Sequence, residues 1–462
     1  MAVKISKDQI VKAKMPNRTV VKKVPKSTPT MTINKPYKRL HPDRRVIQHL
    51  TQTDAYKYSM GQFYFHRYPS VQAEWEFRLR TKGVDISYLY DDIIKEIDHL
   101  CTLRYTPWEL EGIAKVMPWI TADYVDYLSR FQLDRKFITV TKDKNEPGCI
   151  VIRSRGPQHL VSWFEIYVLQ IIQHLYFDDE EINWDVAKAN LDAVIEKWNA
   201  AWREGLRFTV SDFGIRRSVS DEWNEYMVRT MKKYCPAFVG TSNVYLAIKC
   251  DTKAIGTFAH ELYATYQGIK DIPLRLAQQR VLEDWAKEFH GDLGVALSDN
   301  YGFLAFLRDF DKYYAKLFDG ARHDSGDPIK WGELLIAHYK RLGIDPTTKV
   351  ACWSDSLDAD KAIMIARHFN GRIKIAFGIG TFLCATILGM KKDPLSMVMK
   401  TIRIANDSRS PWVDVAKVSD TASKGMCHSQ KTVDIIMDTF DYKSIDDLSF
   451  EECQLHVYGA AA

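Results

Sequence analysis

The stretch Ile373-Lys374-Ile375-Ala376-Phe377-Gly378-Ile379-Gly380-Thr381 decides how this chain is read. An apolar run short enough for a buried strand passes into two glycines and a hydroxyl, and a helical run follows. The result is one βα unit with its polar residues at the carboxyl end of the strand. Working back toward the amino terminus, strand-like pieces at 208–211, 237–239, 254–255, 295–297 and 350–353 each precede a helical stretch. A seventh piece, of mixed residues, ends near Arg322. Strands alternating with helices at intervals of roughly 20–40 residues predict βα units and a parallel sheet. Polar motifs recur beside these pieces: GTSN at 240–243, GTFAHE at 256–261, RHDSGDP at 322–328 and WSDSLD at 353–358. An α/β barrel builds its active site at that place, the carboxyl ends of its strands.

The flanks have a different texture. Leu50 to Lys57 opens a helical pattern with Thr53 or Asp54 as its N-cap. Residues 73–79 alternate polar and apolar side chains, as a strand with one wet face does. Two helical stretches are expected through about residue 131, then a strand pair at 137–140 and 149–152 around the turn-rich 144–148. Residues 161–176 are apolar nearly all round, which predicts a buried helix. Asp185 to Glu204 carries Leu191, Ile195, Trp198 and Trp202 at helical spacing, with Gly205 as the stop. A strand at 397–402 opens the last segment, which is expected to return to the amino-terminal region. The predicted fold is α/β: an irregular barrel-like domain over 181–390, plus a mixed α+β domain. The latter combines 46–180 with 391–462.

Composition sets bounds. At 462 residues, 46% hydrophobic and 27% charged, the chain suits a soluble globular protein of two or three domains. No apolar run approaches the roughly 18–20 residues that cross a bilayer, and no secretory h-region opens the chain. Residues 1–45 hold 13 Lys or Arg against Asp8 and Asp43, a balance of +11 that leaves the rest near −6 of the total +5. A Lys-, Thr- and Pro-rich tail without helical period is expected to be disordered. Eight cysteines show no CxxC spacing, so no zinc or redox motif is visible and a reduced, cytoplasmic setting is the simple expectation.

Several motifs carry chemistry. Gly378 and Gly380 allow a backbone to approach a phosphate and Thr381 adds a hydroxyl, although a plain βα turn uses the same residues. Arg322 offers paired hydrogen bonds to a carboxylate or phosphate. Asp324 and Asp327 suit ribose hydroxyls or magnesium, which needs only one or two carboxylates when phosphates supply the rest. A capped turn at Asp327-Pro328 is the plainer alternative. Phe213 suits stacking on a flat heteroaromatic ring, with Arg216 beside it for polyphosphate. His260 and Glu261 open a helix, and Asp299 is placed either to orient His260 or to cap a helix. These parts suit phosphoribosyl transfer, in which positioning and charge stabilisation supply most of the catalysis.

In order and spacing, these motifs resemble the nicotinate phosphoribosyltransferase family over nearly everything after residue 46. The resemblance implies synthesis of nicotinate mononucleotide from nicotinate and phosphoribosyl pyrophosphate with magnesium. It also implies coupling to ATP hydrolysis through a phosphohistidine at His260, with Glu261 and Asp299 beside it. Tyr56, Phe213, Ser242, Thr257 and Arg322 would meet nicotinate. Arg216, Asp324, Asp355, Gly378, Gly380, Thr381, Lys400 and Lys424 would meet phosphoribosyl pyrophosphate. A homodimer with shared active sites is implied as well, with small-molecule substrates and neither nucleic acid nor membrane as partner.

The chain departs from the pattern in places. Leu262 replaces the aromatic that usually follows the Glu, Ile215 stands where Thr is common, and 420–424 lacks the usual Pro-Gly. The amide-using relatives of this family carry Asp at the position of Ser242; a neutral Ser removes repulsion of a carboxylate, and Arg322 attracts one. A catalytically dead sensor, or a nucleic-acid binder working through its tail, is a rival of another class. Retention of His260, Arg322 and FGIGT argues against it.

Overall fold

A computed structural model describes residues 39–143, 148–421 and 429–459. Its strands in chain order are β1 (Gln72–Leu79), β2 (Ile138–Lys142), β3 (Ile150–Pro157), β4 (Thr209–Asp212), β5 (Phe238–Thr241) and β6 (Lys253–Ala254). They continue with β7 (Val295–Leu297), β8 (Gly320–His323), β9 (Val350–Trp353), β10 (Lys374–Ile379), β11 (Met397–Ala405) and β12 (Val413–Asp414). Among the described residues they form two sheets: an antiparallel one in the order β12-β11-β1-β3-β2, and a parallel one in the order β6-β5-β4-β10-β9-β8-β7. The parallel sheet curls into a half-barrel that stays open between β6 and β7. Across that seam the Thr257 hydroxyl donates to the Val295 carbonyl at 2.9 Å.

The sheet is held by large buried side chains. Trp331 packs edge-on against Trp353, which stacks on Phe369, so two outer helices grip β9. Both of these indole N–H groups find an acceptor, Trp331 at Ser298 Oγ and Trp353 at the Pro328 carbonyl. The antiparallel sheet reaches the barrel through residues 51–55. The amides of Val244 and Tyr245 donate to the Thr53 and Thr51 carbonyls, and the Ala55 amide donates to the Ser242 carbonyl. This docking sets helix Ala55–Arg67 over the end of β5.

Three expectations need correction. Residues 90–131 form three helices, Tyr90–Leu100, Pro107–Val116 and Ala122–Ser129, rather than two. The Thr106/Glu109 capping box starts the second, and Pro118 separates it from the third. The tail expected over 1–45 ends sooner. Arg39 is half-buried against Asp178, 2.8 Å away, and Arg44 pairs with Glu222. Residues 1–38 lie outside the described residues. After residue 390 the chain divides: β11 and β12 join the antiparallel sheet, whereas 429–459 lies on the barrel. There Lys330 Nζ donates to the Ile445 and Leu448 carbonyls at 2.8 Å each.

Candidate active site

His260 stands at the first turn of helix His260–Gln267 and is buried. Its Nε2 lies 2.8 Å from Asp299 Oδ1, at the end of β7, and 3.6 Å from Asp324 Oδ2, just beyond β8. Asp299 does not cap a helix; Gly302 occupies that place ahead of Phe303–Asp309. The other Asp299 oxygen receives the Ser325 hydroxyl at 2.6 Å and the Lys417 ammonium at 3.0 Å. Burial alone would raise the Asp299 pKa, but Lys417 and His260 outweigh it and hold the group well below the carboxylate range. An ionised Asp299 only accepts, so His260 Nε2 is the N–H and Nδ1 keeps the lone pair. Burial, helped by Lys417, lowers the His260 pKa to about 4, which leaves the imidazole neutral near pH 7.

Lys417 Nζ also lies 3.5 Å from Asp324 Oδ2. Burial would raise the Asp324 pKa; Lys417, His260 and Arg322 outweigh it and lower it. Asp324 and Asp299 present hard carboxylate oxygens at strand ends, with Lys417 between them, and oxygens of this kind fit magnesium carried in with phosphates. Asp327 is not part of this group. It is exposed, and its carboxylate accepts from the Lys330 amide as N-cap of helix Pro328–Arg341. The capped-turn alternative is the correct one for that residue.

A second group forms where helix Ala55–Arg67 meets β4, β5 and β10. Gly256 makes the approach possible: a Cβ there would come within 3.1 Å of the Tyr56 amide. The Phe213 ring lies over Gly378, where a Cβ would meet it at 2.3 Å. The Phe213 amide donates to the Ile379 carbonyl, and the Asp212 carboxylate holds the turn by accepting from the Gly214 amide and the Thr241 hydroxyl. Burial would lower the pKa of Arg216, but Tyr56, Glu165, Asp54 and Asp324 outweigh it, so this guanidinium sits among acidic groups. Ser242 is buried, and its amide donates to the Asp212 carbonyl. Arg322 Nε is buried without a protein partner, which suits an anionic ligand.

Two of the expected residues are engaged by partners within the protein. Thr257 directs its hydroxyl proton across the sheet seam. Glu261 turns away from Asp299 to Lys57, whose ammonium is fully buried, is bonded to Glu261 Oε2 and lies 2.8 Å from Glu165 Oε2. Lys400, on β11, reaches the same cluster, 3.4 Å from Glu165 Oε1. Gly380 N-caps the short helix Thr381–Cys384, and the Ser356 hydroxyl donates to Asp355 beyond β9. Lys424 lies outside the described residues. The sequence reading gave no role to Lys57, Glu165, Ser325 or Lys417; of these, Ser325 lay inside a quoted motif and Lys57 closed the quoted helical stretch 50–57. A cavity of about 440 Å³ between Arg44, His174 and Trp184 includes none of the strand-end motifs, and Arg44 is already engaged by Glu222.

Comparison with known proteins matches this arrangement. Residues 208–444 fit the nicotinate phosphoribosyltransferase (NAPRTase) family model, and residues 51–173 fit its N-terminal domain. The chain is 40% identical over 394 residues to nicotinate phosphoribosyltransferase from Chromobacterium violaceum, covering 83% of this chain and 94% of that one. It is 42% identical over 385 residues to the Burkholderia mallei protein of the same name, with the same coverage. Crystal structures of nicotinate phosphoribosyltransferase from Porphyromonas gingivalis and Vibrio cholerae superpose with TM-scores of 0.80 and 0.81, each at 32% identity. They cover 86% and 90% of this chain, and 100% and 98% of their own. The half-barrel, the strand-end motifs and these matches agree: the chain belongs to the nicotinate phosphoribosyltransferase family.

Proposed function

We propose that this enzyme joins nicotinate to the ribosyl carbon of phosphoribosyl pyrophosphate, releasing pyrophosphate, and drives the reaction by ATP hydrolysis through a phosphohistidine at His260. The observation that carries the ATP step is the neutral imidazole whose Nε2–H is held by ionised Asp299. That hydrogen bond leaves the Nδ1 lone pair to attack the terminal phosphorus of ATP, the bond from that phosphorus to the bridging oxygen breaks and ADP leaves, and Lys417 offsets charge beside it. In the transfer step the pyridine nitrogen is its own nucleophile, so no general base is needed. Phe213 and Tyr56 would hold the ring, and Arg322 the carboxylate. Asp324 would hold the magnesium that accompanies pyrophosphate, an ion that would offset the charge of the leaving group, and Asp355 would meet the sugar or pyrophosphate. Gly378, Gly380 and Thr381 would take the 5′-phosphate, with Arg216 and Lys400 adding positive charge. Ser242, being neutral, supports the acid over the amide as substrate.

This reading carries a homodimer, a cytoplasmic setting and a role in NAD salvage with it. No helix of the described residues is long and apolar enough to cross a membrane. The test incubates pure protein with nicotinate, phosphoribosyl pyrophosphate and magnesium, with and without ATP. Nicotinate mononucleotide should form in both arms, faster with ATP and with ADP released in step. Product formation without any ADP would remove the coupling, and no product would remove the reading.

A further inference from the structure

Helix Ala55–Arg67 carries Lys57 directly after Tyr56, and helix His260–Gln267 carries Glu261 directly after His260. The two helices are joined through these second residues. The Lys57 ammonium is bonded to Glu261 Oε2 and lies 2.8 Å from Glu165 Oε2, with no solvent exposure. Glu165 also accepts from the Tyr56 hydroxyl at 3.5 Å and from Lys400 Nζ at 3.4 Å. The Trp75 ring covers the ammonium from β1, 4.8 Å from its centroid. One buried cation thus ties the helix that presents Tyr56 to the helix that presents His260.

Stability does not explain this arrangement well. Withdrawing each ion from water costs several kcal/mol, and apolar side chains of like volume often hold a fold as well or better. Fixed placement is what an ion network can add, and helix His260–Gln267 needs it. Its N-cap, Ala259, makes no side-chain cap, and the Ala259 amide reaches only Met60 Sδ at 3.4 Å. Two side-chain tethers hold the helix start: His260 to Asp299, and Glu261 to Lys57. Glu261 Oε1 is buried without a protein partner, so this carboxylate depends on a single ammonium.

We propose that Lys57 is a positioning residue that couples the phosphorylation state of His260 to the grip on the pyridine ring. The link runs through Glu261 on one side and through Glu165 and Tyr56 on the other, and it rests on the phosphohistidine reading above. A phosphoryl group brings roughly 1.5 to 2 negative charges to the residue before Glu261. That charge repels the adjacent Glu261 carboxylate and weakens its hold on Lys57. The ammonium then shifts toward Glu165, whose other partners are the Tyr56 hydroxyl and Lys400. Coupling of this kind is reciprocal: ring occupancy shifts the phosphorylation equilibrium by the same factor.

The experiment compares full-length wild type with Lys57→Met, Lys57→Arg and Glu165→Gln. It measures ATP hydrolysed per nicotinate mononucleotide formed, and nicotinate KM with and without ATP. Wild type should show an ATP-dependent change in KM of about 5- to 150-fold, the usual range of site coupling. In Lys57→Met that change should collapse toward onefold and the ATP-to-product ratio should rise severalfold, while Lys57→Arg should recover part of both. Thermal unfolding reports whether each variant folds; should Lys57→Met fail, the isosteric Glu165→Gln carries the same expectation. Wild-type coupling in folded Lys57→Met, or in folded Glu165→Gln where Lys57→Met is unfolded, overturns the proposal. Absence of phosphohistidine in wild type overturns the underlying reading instead, so the two failures are distinguishable.

Discussion

At His260 one proton decides the chemistry. Asp299 accepts from Nε2, and the same carboxylate takes the Ser325 hydroxyl and the Lys417 ammonium. Asp299→Asn would place an amide where three donors converge and would free the imidazole to adopt the other tautomer. Phosphohistidine formation should fall by about 10²–10⁴-fold, the usual weight of a positioned acid–base group; rapid-quench labelling with ATP checks this. Substrate choice is also a matter of single residues. Arg322 offers a charge-assisted pair worth about 1.5–3 kcal/mol, so Arg322→Ala should weaken nicotinate use by roughly ten- to a hundredfold or more. Ser242→Asp adds a carboxylate to a buried position and should lower the kcat/KM ratio of nicotinate to nicotinamide. An unchanged ratio would show that Ser242 does not face the ring substituent.

At the scale of elements, the parallel strands were legible because each is a short apolar run that ends in a polar motif. Residues 295–297 and 350–353 are strands at the expected bounds, and even the mixed piece before Arg322 is a strand. The open seam was not legible, because a strand pair that fails to form leaves no mark on either sequence. Lys57, Glu165 and Lys417 were missed for a related reason. Their partners lie more than 90 residues away, and a lone Lys or Glu in a helix or loop reads as solvated. The glycines of FGIGT read equally as a phosphate cradle or a plain turn, and Gly378 proves to have a packing reason of its own. Gly378→Ala should drive a methyl into the Phe213 ring, which it would meet at 2.3 Å. Its nicotinate KM should rise by about tenfold or more, since overpacking costs typically 1–3 kcal/mol. Steady-state kinetics with nicotinate as the varied substrate tests this.

Across the whole molecule, two domains meet through residues that bracket the site, and their stability is open to test. Deletion of residues 1–38 leaves the Arg39–Asp178 and Arg44–Glu222 pairs in place, whereas deletion of 1–45 removes them along with the Arg39 contact to fully buried Glu96. The longer deletion should be less stable by about 3 kcal/mol, the cost of stranding a buried charge, and should melt at a lower temperature. Acid adds a second test. Burial lowers the pKa of His174 from 6.5 to about 4. A depressed folded value means that the unfolded chain binds the extra proton, so this contribution is intact above pH 6.5 and is lost as pH falls toward 4. The stability of wild type relative to His174→Gln should therefore drop by about 3 kcal/mol across that window. Neighbouring Asp221, itself raised to about 7 by burial, responds in both proteins. The central claim concerns a covalent intermediate, and one measurement addresses it directly. Wild type and His260→Ala are incubated with ATP labelled at its terminal phosphate and magnesium, and the protein is then analysed for acid-labile label. Near-stoichiometric label on His260, absent from His260→Ala, is the predicted result. Equal label in the two proteins, or none in wild type under conditions where nicotinate mononucleotide forms, would contradict it.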